Sequence, residues 1–91
     1  MIYVDEMTFC FRNRNWPYNR ACHLLADSTE ELQSFADRLG LKRSWFQCKS
    51  LPHYDLTTGM RLKAIKLGAV EIDRKKFVEI MRKYRPRSAG H

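Results

Sequence analysis

Two histidines and a group of aspartates are the residues of this 91-residue chain best suited to acid–base or metal chemistry. His53 and Asp55 stand in the stretch HYDLT, and if that stretch is extended their side chains share one face while Tyr54 faces the other way and packs. Two imidazoles can move protons at a substrate, or bind a metal ion together with carboxylates. We therefore interpret His23, His53 and Asp55 as candidate catalytic residues.

Asp5 and Asp27 are predicted to line the same cleft. Each ends an apolar run, MIYVD and CHLLAD, and polar groups at the carboxyl ends of buried strands are placed to meet a ligand. The sequence leaves open whether a divalent metal is bound. If one is, its ligands are expected among Asp5, Asp27, His53 and Asp55.

Each of these residues also has a purely structural interpretation. His23 lies inside an apolar run and can be a buried structural histidine. Asp27 directly precedes Ser28 and can stabilise a helix N-terminus through its charge. Asp55 can cap the second helix, and Asp5 can simply end a strand in solvent. The hypothesis of a functional site therefore rests on the whole set and on no single member.

The charge balance favours anionic partners. The chain has 17 Lys and Arg against 10 Asp and Glu, a net charge of +7, which suits nucleotides, nucleic acid or acidic lipid. The stretch RNRNWPYNR is predicted to be an exposed basic loop. Five residues are candidates to contact a nucleotide: Arg12, Arg14, Arg20, Arg43 and Trp45. The arginines would bind its phosphates and the tryptophan would stack on its base. The alternatives, a solvated charged face and a tryptophan in the core, stay open.

Several function classes lack their usual sequence signatures. The chain has no P-loop, no Gly-x-Gly-x-x-Gly, no zinc-finger spacing and no Gly-x-Ser-x-Gly. Three cysteines without a Cys-x-x-Cys pair indicate reduced thiols. No apolar run approaches the roughly 20 residues that span a bilayer, so we expect a cytoplasmic protein with no membrane partner.

The pattern of helix and strand signals predicts the order β-β-α-(β)-α-β-α. Ser28 with Glu31 three residues later is a capping box, and Gly40 ends that helix. Thr57 or Thr58 caps a second helix, and Asp73 a third that ends before Pro86. The optional strand is placed at residues 45 to 47. We predict an α/β domain over residues 1 to 85, a small mixed sheet with about three helices packed against it, followed by a disordered basic tail at 86 to 91.

The motifs YVD, CHLLAD, ELQSFADRLGL, SWFQ, HYDLT and KAIKLGAVEID occur in this order over residues 3 to 73. In order and spacing they resemble the bacterial and phage family known as domain of unknown function 4031. The resemblance implies that the candidate site belongs to the family pattern, and the positions on that pattern are Asp5, His23, Asp27, Trp45, Phe46, His53, Tyr54 and Asp55. The RNRN loop and the basic tail fall outside the pattern or in its variable part.

Three functions are compatible with the sequence. The leading hypothesis is a homo-oligomer that binds an anionic nucleotide-like ligand in a His/Asp-lined cleft and hydrolyses a phosphodiester, with phage proteins that act on host nucleotide signals as an analogy. The second is sequestration of the nucleotide without cleavage, so the sequence does not decide whether the protein is an enzyme. The third is a nucleic-acid-binding accessory protein that uses the basic loop and tail.

Overall fold

The computed structural model describes residues 1 to 14, 16 to 48 and 51 to 84. It confirms the predicted α/β class, a small mixed sheet with three helices, in chain order β1 Ile2–Val4, β2 Thr8–Phe9, β3 Arg20–Ala26, α1 Thr29–Leu39, β4 Tyr54–Leu56, α2 Thr58–Lys66, β5 Val70–Glu71 and α3 Arg74–Tyr84. Within these residues no helix has the length and hydrophobicity that crossing a membrane requires. The predicted basic tail at 86 to 91 lies outside the described residues.

Strand β3 organises the sheet, because three of the other four strands pair with it. It pairs antiparallel with β1, with β4 and, at its beginning, with β2. Strand β5 completes the sheet by pairing parallel with β1. Since all but one of these pairings are antiparallel, the carboxyl ends of the strands do not meet at one edge of the sheet.

Apolar side chains cover both faces of the sheet. On one face, alternate residues of the strands pack against α1 and α2, among them Val4, Leu24, Tyr54 and Leu56. On the other face, Tyr3 and Leu25 pack with Ile80 of α3. Because side chains alternate along a strand, residues two positions from Tyr3 and Leu25 lie on the α3 face of the sheet. Asp5 and His23 occupy those positions.

The helix ends follow the predicted capping residues. The Ser28 hydroxyl accepts from the Glu31 amide at 3.2 Å, and Gly40 ends α1 with a φ of 84°, which favours glycine. The Thr57 hydroxyl accepts from the Met60 amide at 3.3 Å at the start of α2. Asp73 accepts from the Lys76 amide at 2.9 Å before α3. These local signals are satisfied within a few residues, which is why sequence alone could place them.

The placement of the fourth strand differs from the prediction. Residues Arg43–Trp45 form a 3₁₀ turn, and Gln47 forms only an isolated bridge with His53. The strand is instead Tyr54–Leu56, whose two ends are buried while Asp55 between them is partly exposed. That alternation has the period of a strand, whereas Trp45 is half exposed and offers no apolar face to the sheet. Strand β2, only two residues long, carried no sequence signal.

Candidate metal centre

His23 and Asp55 lie directly opposite each other in the antiparallel pairing of β3 with β4. Side chains of directly opposed residues project from the same face of a sheet, here the α3 face. The His53 ring lies against the His23 ring, with centroids 5.1 Å apart and the planes at 70°. One donor atom from each of His23, His53 and Asp55 lies within 4.8 Å of the other two. We call these three residues the His–Asp cluster.

Asp5 orients the first histidine. The register of β1 and β3 pairs Val4 with Leu24, which places Asp5, the residue that follows β1, beside His23. Asp5 Oδ2 accepts from Nδ1 of the His23 ring at 2.7 Å, and Asp5 Oδ1 accepts from the His23 backbone amide at 2.5 Å. The side-chain hydrogen bond to Asp5 raises the pKa of His23, burial opposes it, and the charges of Asp5 and Asp55 add to the increase. With Nδ1 occupied, Nε2 is the free ring nitrogen.

The ring of His53 is also oriented by a hydrogen bond at Nδ1. Its Nδ1 lies 2.9 Å from the carbonyl oxygen of Leu51, which can only accept, so Nδ1 carries the hydrogen. In the neutral ring Nε2 then bears the lone pair, and it lies 3.7 Å from Asp55 Oδ1. The carbonyl of Leu51 therefore sets both the tautomer and the direction of the His53 ring.

Asp55 is held by Gln47. The side-chain amide of Gln47 donates from Nε2 to Asp55 Oδ2 at 2.6 Å, which leaves Oδ1 facing His53. The bridge between Gln47 and His53 brings the amide to this position. Each member of the cluster thus has its remote atom bound and one donor atom free. Metal-binding histidines and carboxylates in proteins are oriented by such outer hydrogen bonds.

The cluster is only partly buried. The ring of Phe77 from α3 lies 5.1 Å from the His23 ring, centroid to centroid, and covers one side of it. The side chains of His23 and Asp55 remain 36% and 29% exposed, so a small ligand can reach them from solvent. Three protein ligands with open positions for water or substrate are the arrangement of catalytic rather than structural metal sites.

Asp27, which was predicted to line the same cleft and to be a possible metal ligand, is not brought together with the cluster. The antiparallel pairing of β1 with β3 puts Asp5 beside His23, whereas the Asp27 amide bonds to the Met1 carbonyl at 3.2 Å at the opposite ends of the strands. The Asp27 carboxylate accepts from the Tyr3 hydroxyl at 3.0 and 3.1 Å. The prediction assumed that the two strand ends meet, which requires parallel strands.

The predicted nucleotide-binding residues fall into two groups. Arg43 is bound by Asp37, with nitrogen–oxygen distances of 3.1 and 2.9 Å, and Trp45 follows on the 3₁₀ turn with the Lys42 ammonium 5.7 Å from its ring centroid. In the described ranges no hydrogen bond or ring contact joins either residue to the His–Asp cluster. The other three are exposed: Arg12 and Arg14 follow β2, and Arg20 is the first residue of β3.

Sequence reasoning missed two residues that support the site. Gln47 belongs to the SWFQ motif, which was a usable signal, but its contact with Asp55 depends on a bridge between distant positions. Arg61 of α2 donates from Nε to the Asp5 carbonyl at 2.8 Å and from its terminal nitrogen to Glu71 at 3.2 Å. It thereby ties the end of β1 to β5, and nothing in the sequence near Arg61 indicates this.

The fold and the cluster together define a small α/β protein with a site of two histidines and one carboxylate. The family model described as "Protein of unknown function (DUF4031)" matches residues 2–84. The match covers most of the chain, so the protein belongs to this family and the resemblance is confirmed. No curated protein and no solved structure matches the chain.

Proposed function

We propose that the protein is a metal-dependent phosphodiesterase that binds an anionic, nucleotide-like substrate at the His–Asp cluster. The observation that carries the proposal is the convergence of donor atoms from His23, His53 and Asp55 within 4.8 Å, with the remote atom of each held by another group. The ligands would be Nε2 of the two histidines and Oδ1 of Asp55. Two imidazoles and one carboxylate suit a divalent first-row transition ion such as Zn²⁺ or Mn²⁺.

The proposed reaction is hydrolysis by water. A divalent ion at this position would supply a Lewis acid for a phosphoryl oxygen and would acidify a water molecule. The water oxygen would bond to phosphorus, the ester P–O bond would break, and the leaving alkoxide would take a proton from solvent that reaches the partly exposed cluster. The proton lost by water passes to the same solvent. The products are a phosphomonoester and an alcohol.

The residues around the cluster would hold its geometry during this reaction. Asp5 keeps Nε2 of His23 as the available nitrogen, and the carbonyl of Leu51 does the same for His53. Gln47 holds Asp55 so that only one carboxylate oxygen faces the histidines. Removal of such orienting partners typically costs 10- to 100-fold in metal affinity or activity. The net charge of +7 supports an anionic substrate.

The test is hydrolysis of a panel of linear and cyclic nucleotides by chelator-treated protein, with Zn²⁺, Mn²⁺ or Mg²⁺ added back. Product and remaining nucleotide are both quantified by chromatography. We expect product only with added metal, and its loss in His53→Ala and Asp55→Asn. The matched controls are His91→Ala, which removes an imidazole outside the described residues, and Asp37→Asn, which removes an exposed carboxylate that pairs with Arg43.

Other outcomes would replace the proposal. Stoichiometric loss of free nucleotide that is recovered when the protein is denatured would show sequestration without cleavage. An unchanged panel with every metal would contradict both hydrolysis and sequestration.

A further inference from the structure

A hairpin arm extends from the sheet at the beginning of β3. Strand β2 pairs Thr8 with Ala21 and Phe9 with Arg20, and the Cys10 amide continues the pairing by donating to the Asn19 carbonyl at 2.9 Å. We call residues 8 to 14 and 16 to 20 the arm. Residues 11 to 14 and 17 to 19 of its connection are exposed, and only its base belongs to the sheet.

Three large aromatic rings on the arm are exposed, those of Phe9, Phe11 and Tyr18. Phe9 is 67% exposed, Phe11 is 83% exposed, and their centroids lie 5.2 Å apart at 81°. Trp16 and Tyr18 form a second edge-to-face pair, also at 5.2 Å. Each edge-to-face pair leaves ring surface uncovered by the chain itself. Grouped exposed aromatics of this kind mark a surface that binds something.

The arm is positively charged throughout. The sequence from Met7 to Cys22 contains three arginines and no acidic residue. Over the residues that the structure describes, none of the six ion pairs involves an arginine of the arm. The guanidinium groups of Arg12, Arg14 and Arg20 thus lie among exposed rings without an acidic partner in the described ranges. This arrangement suits a ligand in which negative charges alternate with flat apolar groups.

We propose that the arm binds single-stranded nucleic acid, with bases stacked on its rings and phosphates on its guanidinium groups. Non-specific single-strand binders combine these two contacts, whereas a duplex keeps its base faces stacked inside. Charge disfavours a second copy of the chain as the occupant, because a two-fold contact between arms would bring like charges together.

This inference goes beyond the proposed function, because it assigns a ligand to a second surface of the chain. Arg20 is three positions before His23 on β3, about 10 Å along the strand at its usual rise. A cavity of about 280 Å³ at the base of the arm is lined by Tyr18, Asn19 and Arg20 and by the start of α2 at Thr57. Since an odd number of positions separates Arg20 from His23, their side chains leave opposite faces of the sheet, and the arm is a binding surface distinct from the cluster.

The experiment is fluorescence anisotropy of a labelled oligonucleotide of about 12 residues, single-stranded or in duplex, with full-length protein in chelator. We expect the single strand to bind more tightly than the duplex. Arg12→Gln/Arg14→Gln should weaken binding and reduce the dependence of log affinity on log salt by about 1.4, at about 0.7 per lost phosphate contact. Phe11→Ser should weaken binding about 5- to 150-fold, the range for loss of one stacked base.

Matched controls change the same chemistry elsewhere. Lys66→Gln/Lys75→Gln removes two exposed charges from α2 and α3, and Leu62→Ser removes an exposed apolar side chain from α2. Equal losses in arm and control variants would overturn the proposal, as would a duplex bound as tightly as the single strand. Self-association of the wild type that Phe11→Ser abolishes, without oligonucleotide binding, would overturn it in favour of an interface between copies.

Measurements of binding and of cleavage on the same protein distinguish failure of this inference from failure of the proposed hydrolysis. His53→Ala should keep oligonucleotide binding and lose cleavage in the presence of metal. Binding without cleavage by the wild type would contradict the hydrolysis and leave the arm supported. Cleavage of small nucleotides without oligonucleotide binding would contradict the arm and leave the hydrolysis supported.

Discussion

Asp5 accepts two hydrogen bonds from one residue, His23: Oδ2 from the ring Nδ1 at 2.7 Å and Oδ1 from the backbone amide at 2.5 Å. The two contacts fix the ring relative to its own backbone and leave Nε2 free. Because a carboxylate partner also increases the basicity of the other ring nitrogen, Asp5 would strengthen His23 as a ligand in the proposed metal site without itself contacting the ion.

Asp5→Asn should therefore lower metal affinity by about 10- to 100-fold without removing a ligand. The physical reason is that an amide oxygen can still accept from Nδ1 but carries no charge to polarise the ring. Calorimetric titration of chelator-treated protein with Zn²⁺ measures the change. Affinity equal to that of the wild type would show that His23 is not a ligand, or that Asp5 does not orient it.

Asp27→Asn is the matched control for that substitution, because the sequence placed both aspartates in one cleft and the structure separates them. Asp27 contacts the Tyr3 hydroxyl and the amino group of Met1. We expect unchanged metal affinity and a loss of less than about 1 kcal/mol in the free energy of unfolding, since the carboxylate is largely exposed. Urea unfolding checks the stability. A large loss of metal affinity would show that Asp27 does contribute to the metal site.

The stability of the metal-free protein should depend on pH through His23. The hydrogen bond to Asp5 raises the pKa of His23 from its ordinary value of 6.5, so the folded state favours the protonated ring. This contribution is fully present below pH 6.5 and is lost as the pH rises through the raised pKa of the folded protein. Urea unfolding in chelator should show the advantage of wild type over Asp5→Asn shrinking across that interval. A constant difference would contradict the assignment.

Cys22 and Cys48 should differ sharply in reactivity. Burial raises the pKa of Cys22 to about 12, so its thiol stays protonated at neutral pH, whereas Cys48 is exposed. Mass spectrometry after iodoacetamide treatment at neutral pH should find Cys48 modified and Cys22 unmodified. In urea Cys22 should react as well. Rapid modification of Cys22 in the folded protein would show that β3 is not buried as described.

Local patterns in the sequence predicted much of this molecule. The capping residues Ser28, Thr57 and Asp73 and the period-2 alternation around Tyr54 involve only neighbouring positions. For that reason the shared face of His53 and Asp55 could be inferred. Such patterns are visible within one segment of the sequence, without knowledge of which distant segment it contacts.

The features that sequence reasoning placed wrongly or missed depend on strand pairing. Because β1 and β3 run antiparallel, Asp5 contacts His23 and Asp27 does not. The sequence of neither strand indicates this direction of pairing. The contact of Gln47 with Asp55 arises from a bridge between non-adjacent segments. Pairing direction and register are set by the whole sheet, so single segments carry no signal for them.

The central claim is that His23, His53 and Asp55 bind a metal ion, and calorimetric titration of the metal-free protein with Zn²⁺ and Mn²⁺ tests it most directly. The account predicts a single saturable ion per chain for at least one of these metals. Binding should be lost in His53→Ala and Asp55→Asn and kept in His91→Ala, with circular dichroism showing that each variant is folded. Absence of binding to the wild type, or equal binding to folded His53→Ala, would contradict the account.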